Sequence, residues 1–182
     1  MIAFTAEELH FLAGGAPIPG LGPLPPGDLR LLQGTAERSL TARGLLGARE
    51  VDALLEPLID PDWFATACRG TMRAWARRGD RATELAQVGP TDYTLAPVTD
   101  IPNRIADFLD LHGSDDTVGP PEPLAPLDAP VEVIEATRAA PGDIVALQWI
   151  EPGDGGPVWL LGDGDPVQVS RTGRAALRAR LS

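Results

Sequence analysis

Two histidines, His10 and His112, and one cysteine, Cys68, are the chain's whole stock of imidazole and thiol. Each histidine falls at an expected helix end with no ligand pattern around it. A metal site needs several ligands at set spacing, so both histidines read as surface or capping residues. Arg69 beside Cys68 is the kind of neighbour that lowers a thiol pKa. No histidine lies near it in sequence, however, and Cys68 reads as a buried strand thiol. Asp163 and Asp165 in "LLGDGDP" are spaced like the start of a calcium loop, but the later ligands and the bidentate glutamate are missing. The glycines of "EPGDGGP" are followed by neither Lys-Ser/Thr nor a helix, so they do not make a phosphate loop. No set of nucleophile, base and orienting group assembles from the sequence. The expectation is a protein that is not an enzyme and carries no cofactor or metal. Carboxylates among Asp115, Asp116 or Asp163 converging in space would revive an enzyme reading.

The sharpest feature is basic and aromatic. From Phe64 onward, Cys68, Gly70, Met72, Ala74 and Ala76 alternate with Arg69, Thr71, Arg73, Trp75 and Arg77. Period two predicts one strand with a small apolar face and a basic-aromatic face. Arg78 and Arg81 follow at the turn. Arginine and tryptophan are the residues most often found at binding hot spots. Arg69, Arg73, Trp75, Arg77, Arg78 and Arg81 are therefore the candidate partner-binding residues. The competing reading is a solvated sheet face with Trp75 covered by a helix.

Charge sharpens the contrast. The chain has 182 residues, 26 acids and 15 Lys+Arg, for a net charge of −11. Residues 107–165 hold 13 of the acids and one Arg, while residues 166–182 hold four Arg and no acid. An acidic chain repels phosphate backbones unless it segregates a strong basic face, so nucleic acid is not the expected partner. No run of about 18 apolar residues occurs, which predicts no transmembrane helix. "MIAFTAEELHF" has acids where a secretory signal would have a basic end, and the expected location is the cytoplasm.

The elements that must hold these residues are partly legible. Thr5 to Glu8 fits a capping box opening a short helix that stops at Gly14-Gly15. Asp28 is expected to open a helix with Leu29, Leu32, Ala36 and Leu40 in one stripe, Arg43 in its last turn and Gly44 after its end. A third helix carries Val51, Leu54, Leu55, Leu58 and Ile59, and Pro57 is expected to kink it or end it early. The basic strand, Arg81–Val88 and Tyr93–Val98 would form a three-stranded antiparallel meander, with turns at Gly79-Asp80 and Gly89 to Asp92. Asp100 caps a helix with Pro102 in its first turn and Ile105, Phe108 and Leu109 on its buried face. Residues 112–130 read as a Pro- and acid-rich linker. Strands resume at Val131–Glu135, Ile144–Ile150, Val158–Leu161 and Val167–Val169, with "EPGDGGP" connecting the middle two. Ser170 or Thr172 caps a last helix bearing Ala176, Leu177 and Leu181. The expected organisation is 1–111, a linker 112–130, and 131–182, read as one domain of α/β (α+β) class with a central antiparallel sheet flanked by helices. Asp28–Arg43 is expected to be a packing helix. Helix-helix-hairpin order over residues 28–88 keeps one alternative open, a winged-helix regulator that binds DNA.

"FTAEELHFLAGG", "AERSLTARGLL", "VDALLEPLIDPD", "ARRGDRATELAQVGPTDYTLAPVTDIPNRIADFLDL" and "PVWLLGDGDPVQVS" together resemble, in order, the EspG family of chaperones for type VII (ESX) secretion in actinobacteria. The region after Leu111 is shorter than is usual for that family. The resemblance implies an antiparallel sheet flanked by helices. It also implies a cytosolic role: binding secreted PE–PPE client heterodimers by protein–protein contact and holding them soluble until export.

Overall fold

Thr5 accepts a hydrogen bond from the Glu8 amide (3.3 Å) and the Glu8 carboxylate accepts one from the Thr5 amide (3.0 Å), which is the capping box complete. It marks the junction between strand β1 (Ile2–Thr5) and helix α1 (Ala6–Leu12). The structure is a computed structural model that describes residues 1–24, 29–125, 131–152, 157–163 and 167–182. Asp28, residues 126–130, most of "EPGDGGP" and Asp165 lie outside the described residues.

The chain divides into two compact units. The first comprises 1–66 and 71–99, the second 67–70 and 100–182. The boundary at Thr99–Asp100 places the Asp100-capped helix in the second unit, and residues 112–125 run within that unit.

In the first unit, α1 is followed by α2 (Leu29–Ala42) and α3 (Arg49–Ile59), then by β2 (Trp63–Arg69, shared with the second unit), β3 (Thr71–Arg78), β4 (Arg81–Gln87) and β5 (Asp92–Pro97). The strand order is β1-β5-β4-β3-β2. β1–β5, β3–β4 and β4–β5 are antiparallel. Gly44, at φ +67, ends α2: its amide reaches the Thr41 carbonyl and the Leu45 amide reaches back to the Leu40 carbonyl. That double bond is the Schellman arrangement, and it suits glycine because only glycine adopts the left-handed conformation without a Cβ penalty. Ala36 and Leu40 are buried, and α2 packs on α1, so α2 is a packing helix. Pro57 does not stop α3, which continues to Ile59 with the proline buried inside it. Leu9, Leu40, Val51, Leu54, Leu55 and Leu58 close on Ala74, Ala76, Leu85 and Leu95 of the sheet to form the core of this unit.

Two expectations of the sequence are corrected here. The basic segment is not one strand: Gly70, at φ +66, turns the chain between β2 and β3, so the meander has four strands. Alternation of small and large residues carries straight through the turn, which hides it from a period-two reading. The helix-helix-hairpin order exists as well, but the β3–β4 hairpin lies between β2 and β5. A DNA-binding wing needs a hairpin free to reach the duplex, and this one is interior to its sheet.

In the second unit, α4 (Ile101–Leu109) is capped as expected, with Asp100 accepting from the Asn103 amide. Then come β6 (Glu122–Pro123), β7 (Val131–Ala140), β8 (Asp143–Pro152), β9 (Trp159–Gly162), β10 (Gln168–Arg171) and α5 (Arg174–Leu181). The order from β7 is β7-β8-β9-β10-β6, with antiparallel pairs β7–β8, β8–β9, β9–β10 and β10–β6. The expected linker 112–130 is thus partly structured: Val118 bridges Thr172 and β6 pairs with β10. One face of β7–β8 carries Ile134, Ala136, Leu147 and Trp149, all buried, and α5, with Leu177 and Leu181 buried, packs on β7.

Neither Ser170 nor Thr172 caps α5. Its N-cap is Gly173, with no side-chain bond. The Gly173 amide donates to the Thr117 carbonyl (2.8 Å) and the Ala175 amide to the Asp115 carbonyl (3.0 Å), so backbone oxygens do the capping. The strap comes so close that a Cβ on Gly173 would overlap the Asp115 carbonyl oxygen and lie 2.5 Å from its carbon. Gly173→Ala is expected to cost about 2 kcal/mol or more, as overpacking against backbone does. Urea unfolding checks it, and a change under about 0.5 kcal/mol, the scatter of neutral surface substitutions, would contradict it.

Candidate partner-binding surface

The six residues of the basic-aromatic segment do not form one surface. Trp75 is fully buried, on the sheet face opposite Ala74 and Ala76 and directly across from Glu84. A buried ring offers no anchor to a partner, so Trp75 is a core residue and its assignment as a hot spot is corrected. Arg73 donates to Glu84 at 2.9 Å, and that carboxylate's side chain is only 7% exposed. Arg69 belongs to the second unit, where it donates to Glu151 (3.1 Å), Glu132 (3.3 Å) and the Leu109 carbonyl (2.9 Å). Arg78 meets Asp60, the C-cap of α3, at 2.5 Å, and Arg81 meets Glu56 of α3 at 2.6 Å. Arg77 is exposed at the end of β3.

The expected reversal of sign is therefore largely neutralised by acids that fold back from elsewhere. What faces solvent is the β3–β4 turn, with Arg77, Arg78 and Arg81. Beside it a cleft of about 280 Å³ is lined by Leu12, Leu55 and Ile59, with Asp52, Glu56, Asp60 and Arg78 around it. Nothing in the sequence pattern marked this cleft. Asp52 and Glu56 lie four residues apart on α3, the spacing that puts them in one row, and Asp60 follows at its C-cap.

The other chemistry-bearing residues stay apart. His10 bonds the Gly22 carbonyl and His112 lies 2.9 Å from Asp107. Cys68 is a half-buried free thiol. No group of three or more His, Cys, Asp or Glu poised to hold a metal occurs among the described residues.

Glu8, Arg43 and Ser39 form a cluster the sequence disclosed only in part. Glu8 is 2% exposed and accepts from the Ser39 hydroxyl (2.7 Å) and from Arg43 (2.8 and 2.9 Å), and Arg43 also donates to the Ala3 carbonyl. Burial alone would raise the Glu8 pKa. The Ser39 hydroxyl, the Thr5 amide and Arg43 outweigh it and hold the carboxyl below its ordinary value of 4.5. A depressed folded-state pKa adds stability that is full above the unfolded value and drains as pH falls through the folded one. Glu8→Gln is expected to cost about 2 kcal/mol near neutral pH, as charged hydrogen bonds do. The gap from wild type should narrow steadily below pH about 4.5. A gap that stays constant from pH 7 to pH 3 would show that the charge contributes nothing.

Comparison with known proteins now has a geometry to rest on. No protein-family profile and no curated protein matches the sequence. Among solved structures, the chain is similar to the Mycobacterium tuberculosis type VII secretion system chaperone EspG5, solved in complex with a PE25–PPE41 dimer. The TM-score is 0.59 and the identity 13%, over 99% of this chain and 94% of that one. At that identity the likeness is one of fold alone, spanning essentially the whole length of both chains.

Proposed function

We propose that this protein is a secretion chaperone that binds helical client proteins of a type VII-like pathway in the cytoplasm. The observation that carries this reading is the full-length likeness in fold to EspG5, a chaperone seen holding a PE25–PPE41 dimer. Two features support it. None of the described helices is long and apolar enough to cross a membrane. Acids of the chain itself hold Arg69, Arg73, Arg78 and Arg81, which leaves Arg77 as the exposed charge of the basic segment. The exposed remainder of the basic segment, Arg77 with Arg78 and Arg81 at the β3–β4 turn, is the proposed contact for acidic groups of the client.

The test is direct. The purified chain is mixed with a PE–PPE heterodimer from the same genome and run on size exclusion with light scattering. Co-elution at one-to-one stoichiometry is the expected result. Separate elution with every such heterodimer encoded beside the gene would sink the reading. Given binding, Arg77→Glu should slow association several-fold and weaken its salt dependence while leaving unfolding unchanged, because an exposed rim charge acts on encounter more than on stability. An unchanged association rate would move the contact away from the turn.

A further inference from the structure

The cleft beside the β3–β4 turn joins an apolar floor to an acidic rim. Leu12 at the end of α1 and Leu55 and Ile59 on α3 make the floor. Leu55 is buried, while Leu12 and Ile59 are half-buried and keep apolar surface in water. Covering that surface with another apolar group is favourable. The cleft holds about 280 Å³. Small-molecule pockets begin at about 300 Å³, so its size suits one long side chain better than a cofactor.

The rim is a row of carboxylates, Asp52 and Glu56 on α3 and Asp60 at its C-cap. Two of them already hold a guanidinium group: Asp60 takes Arg78 at 2.5 Å and Glu56 takes Arg81 at 2.6 Å. Asp52 holds none. It is exposed, and no described residue forms an ion pair or side-chain hydrogen bond with its carboxylate, Arg49 one turn earlier included. Three carboxylates against two guanidinium groups leave the rim one negative charge in excess. The rim thus repeats one arrangement, a carboxylate facing an arginine, and leaves it unfinished at Asp52.

We propose that this cleft receives one arginine of the client, its aliphatic stem on Leu12, Leu55 and Ile59 and its guanidinium on Asp52. Arginine fits both halves of the lining. Its stem covers apolar surface while its head stays wet, and its planar, weakly hydrated fork matches a carboxylate better than a compact ammonium does. An acidic side chain would be repelled by the rim, and a purely apolar one would leave Asp52 unused. The proposal rests on the chaperone reading for the identity of the partner, but not for the chemistry of the cleft. The cleft adjoins the β3–β4 turn through Arg78. A client that meets the turn with an acid would therefore meet the cleft with a base, and two contacts of opposite sign fix its orientation.

Pentylguanidinium is the probe for the cleft, titrated into the full chain with leucine and isoleucine methyls labelled for NMR. Saturable shifts at Leu12, Leu55 and Ile59 are expected. The affinity should exceed that of methylguanidinium at least ten-fold, since each buried methylene contributes about two- to four-fold. It should exceed that of pentanol by about two- to five-fold, the share of an exposed ion pair. Asp52→Asn should erase the margin over pentanol and leave urea unfolding unchanged. Shifts confined to other sites, or equal binding of the probe by Asp52→Asn, overturn the proposal. This titration uses no client. If no heterodimer co-elutes, the chaperone reading falls while a positive titration keeps the cleft as an arginine site. With a co-eluting heterodimer, Asp52→Arg sets like charge against the incoming guanidinium and should weaken the complex about ten-fold or more. An unchanged affinity for the heterodimer overturns the proposal. So does dimerisation of the chain alone that shifts the same methyls, which would give the cleft to a second copy.

Discussion

Trp75→Ala is expected to cost about 3–5 kcal/mol and to leave much of the chain unfolded at 37 °C, the range seen when a large buried aromatic is truncated. The ring is fully buried, and the strand that carries it is paired with β4 from Arg73 to Arg78. Its neighbours are fixed by that ladder and cannot collapse into the space, so most of the cavity persists. Its cross-strand neighbour Glu84 is itself buried and holds Arg73. The cavity would thus open beside an ion pair and admit water to it. Urea unfolding followed by far-ultraviolet dichroism measures the loss. Trp75→Phe, which keeps most of the volume, should cost clearly less. A Trp75→Ala protein that is as stable as wild type but no longer binds a client would return the tryptophan to the surface and overturn its assignment to the core.

The sequence could place that tryptophan on a strand but not inside. Alternation identifies which residues share a face, and both faces of β3 turn out to be covered at Trp75 and at Ala74 and Ala76. A basic face with a tryptophan in it reads as exposed because arginines are rarely buried unpaired. The partners that make their burial tolerable, Glu84 for Arg73 and Glu151 for Arg69, come from other strands, the second of them 82 residues away. No local pattern reports such a pairing. Local signals fared better for the same reason. The Thr5–Glu8 box, the Gly44 stop, the Asp100 cap and the Gly79 turn each depend on side chains within a few residues. Gly70 is the instructive miss: a glycine inside an alternating run signals either a small strand residue or a left-handed turn, and the alternation favoured the wrong one. The α5 cap was missed because backbone carbonyls of residues 115 and 117 supply it, which no choice of side chain records.

Glu151 is where the second unit concentrates its charge, and Glu151→Ala is expected to cost about 3 kcal/mol, the low end for breaking a buried ion pair. The carboxylate is 9% exposed and takes three donors: Trp149 Nε1 at 3.1 Å on one oxygen, and Arg69 Nη2 at 3.1 Å and Arg174 Nη2 at 3.3 Å on the other. It thereby ties the end of β2 and the first residue of α5 to β8. Removing it strands two guanidinium groups and an indole N–H in a place they cannot leave. Their remaining partners soften the loss. Arg69 keeps Glu132 and the Leu109 carbonyl, and Arg174 keeps the Asp110 carbonyl. That is why the low end of the range is the expectation. Glu151→Gln preserves an acceptor for Trp149 and removes only the charge, so it should fall at about 1.5–3 kcal/mol, the cost of charged hydrogen bonds. A double-mutant cycle separates charge from packing. With Arg69→Met in the background, the penalty of Glu151→Ala should shrink by about 1 kcal/mol or more, because one stranded charge is already gone. Tryptophan fluorescence from Trp149 gives a local readout alongside global unfolding. Additive penalties in the cycle would mean that Glu151 and Arg69 merely sit near each other, and that the end of β2 is held by its backbone pairing alone.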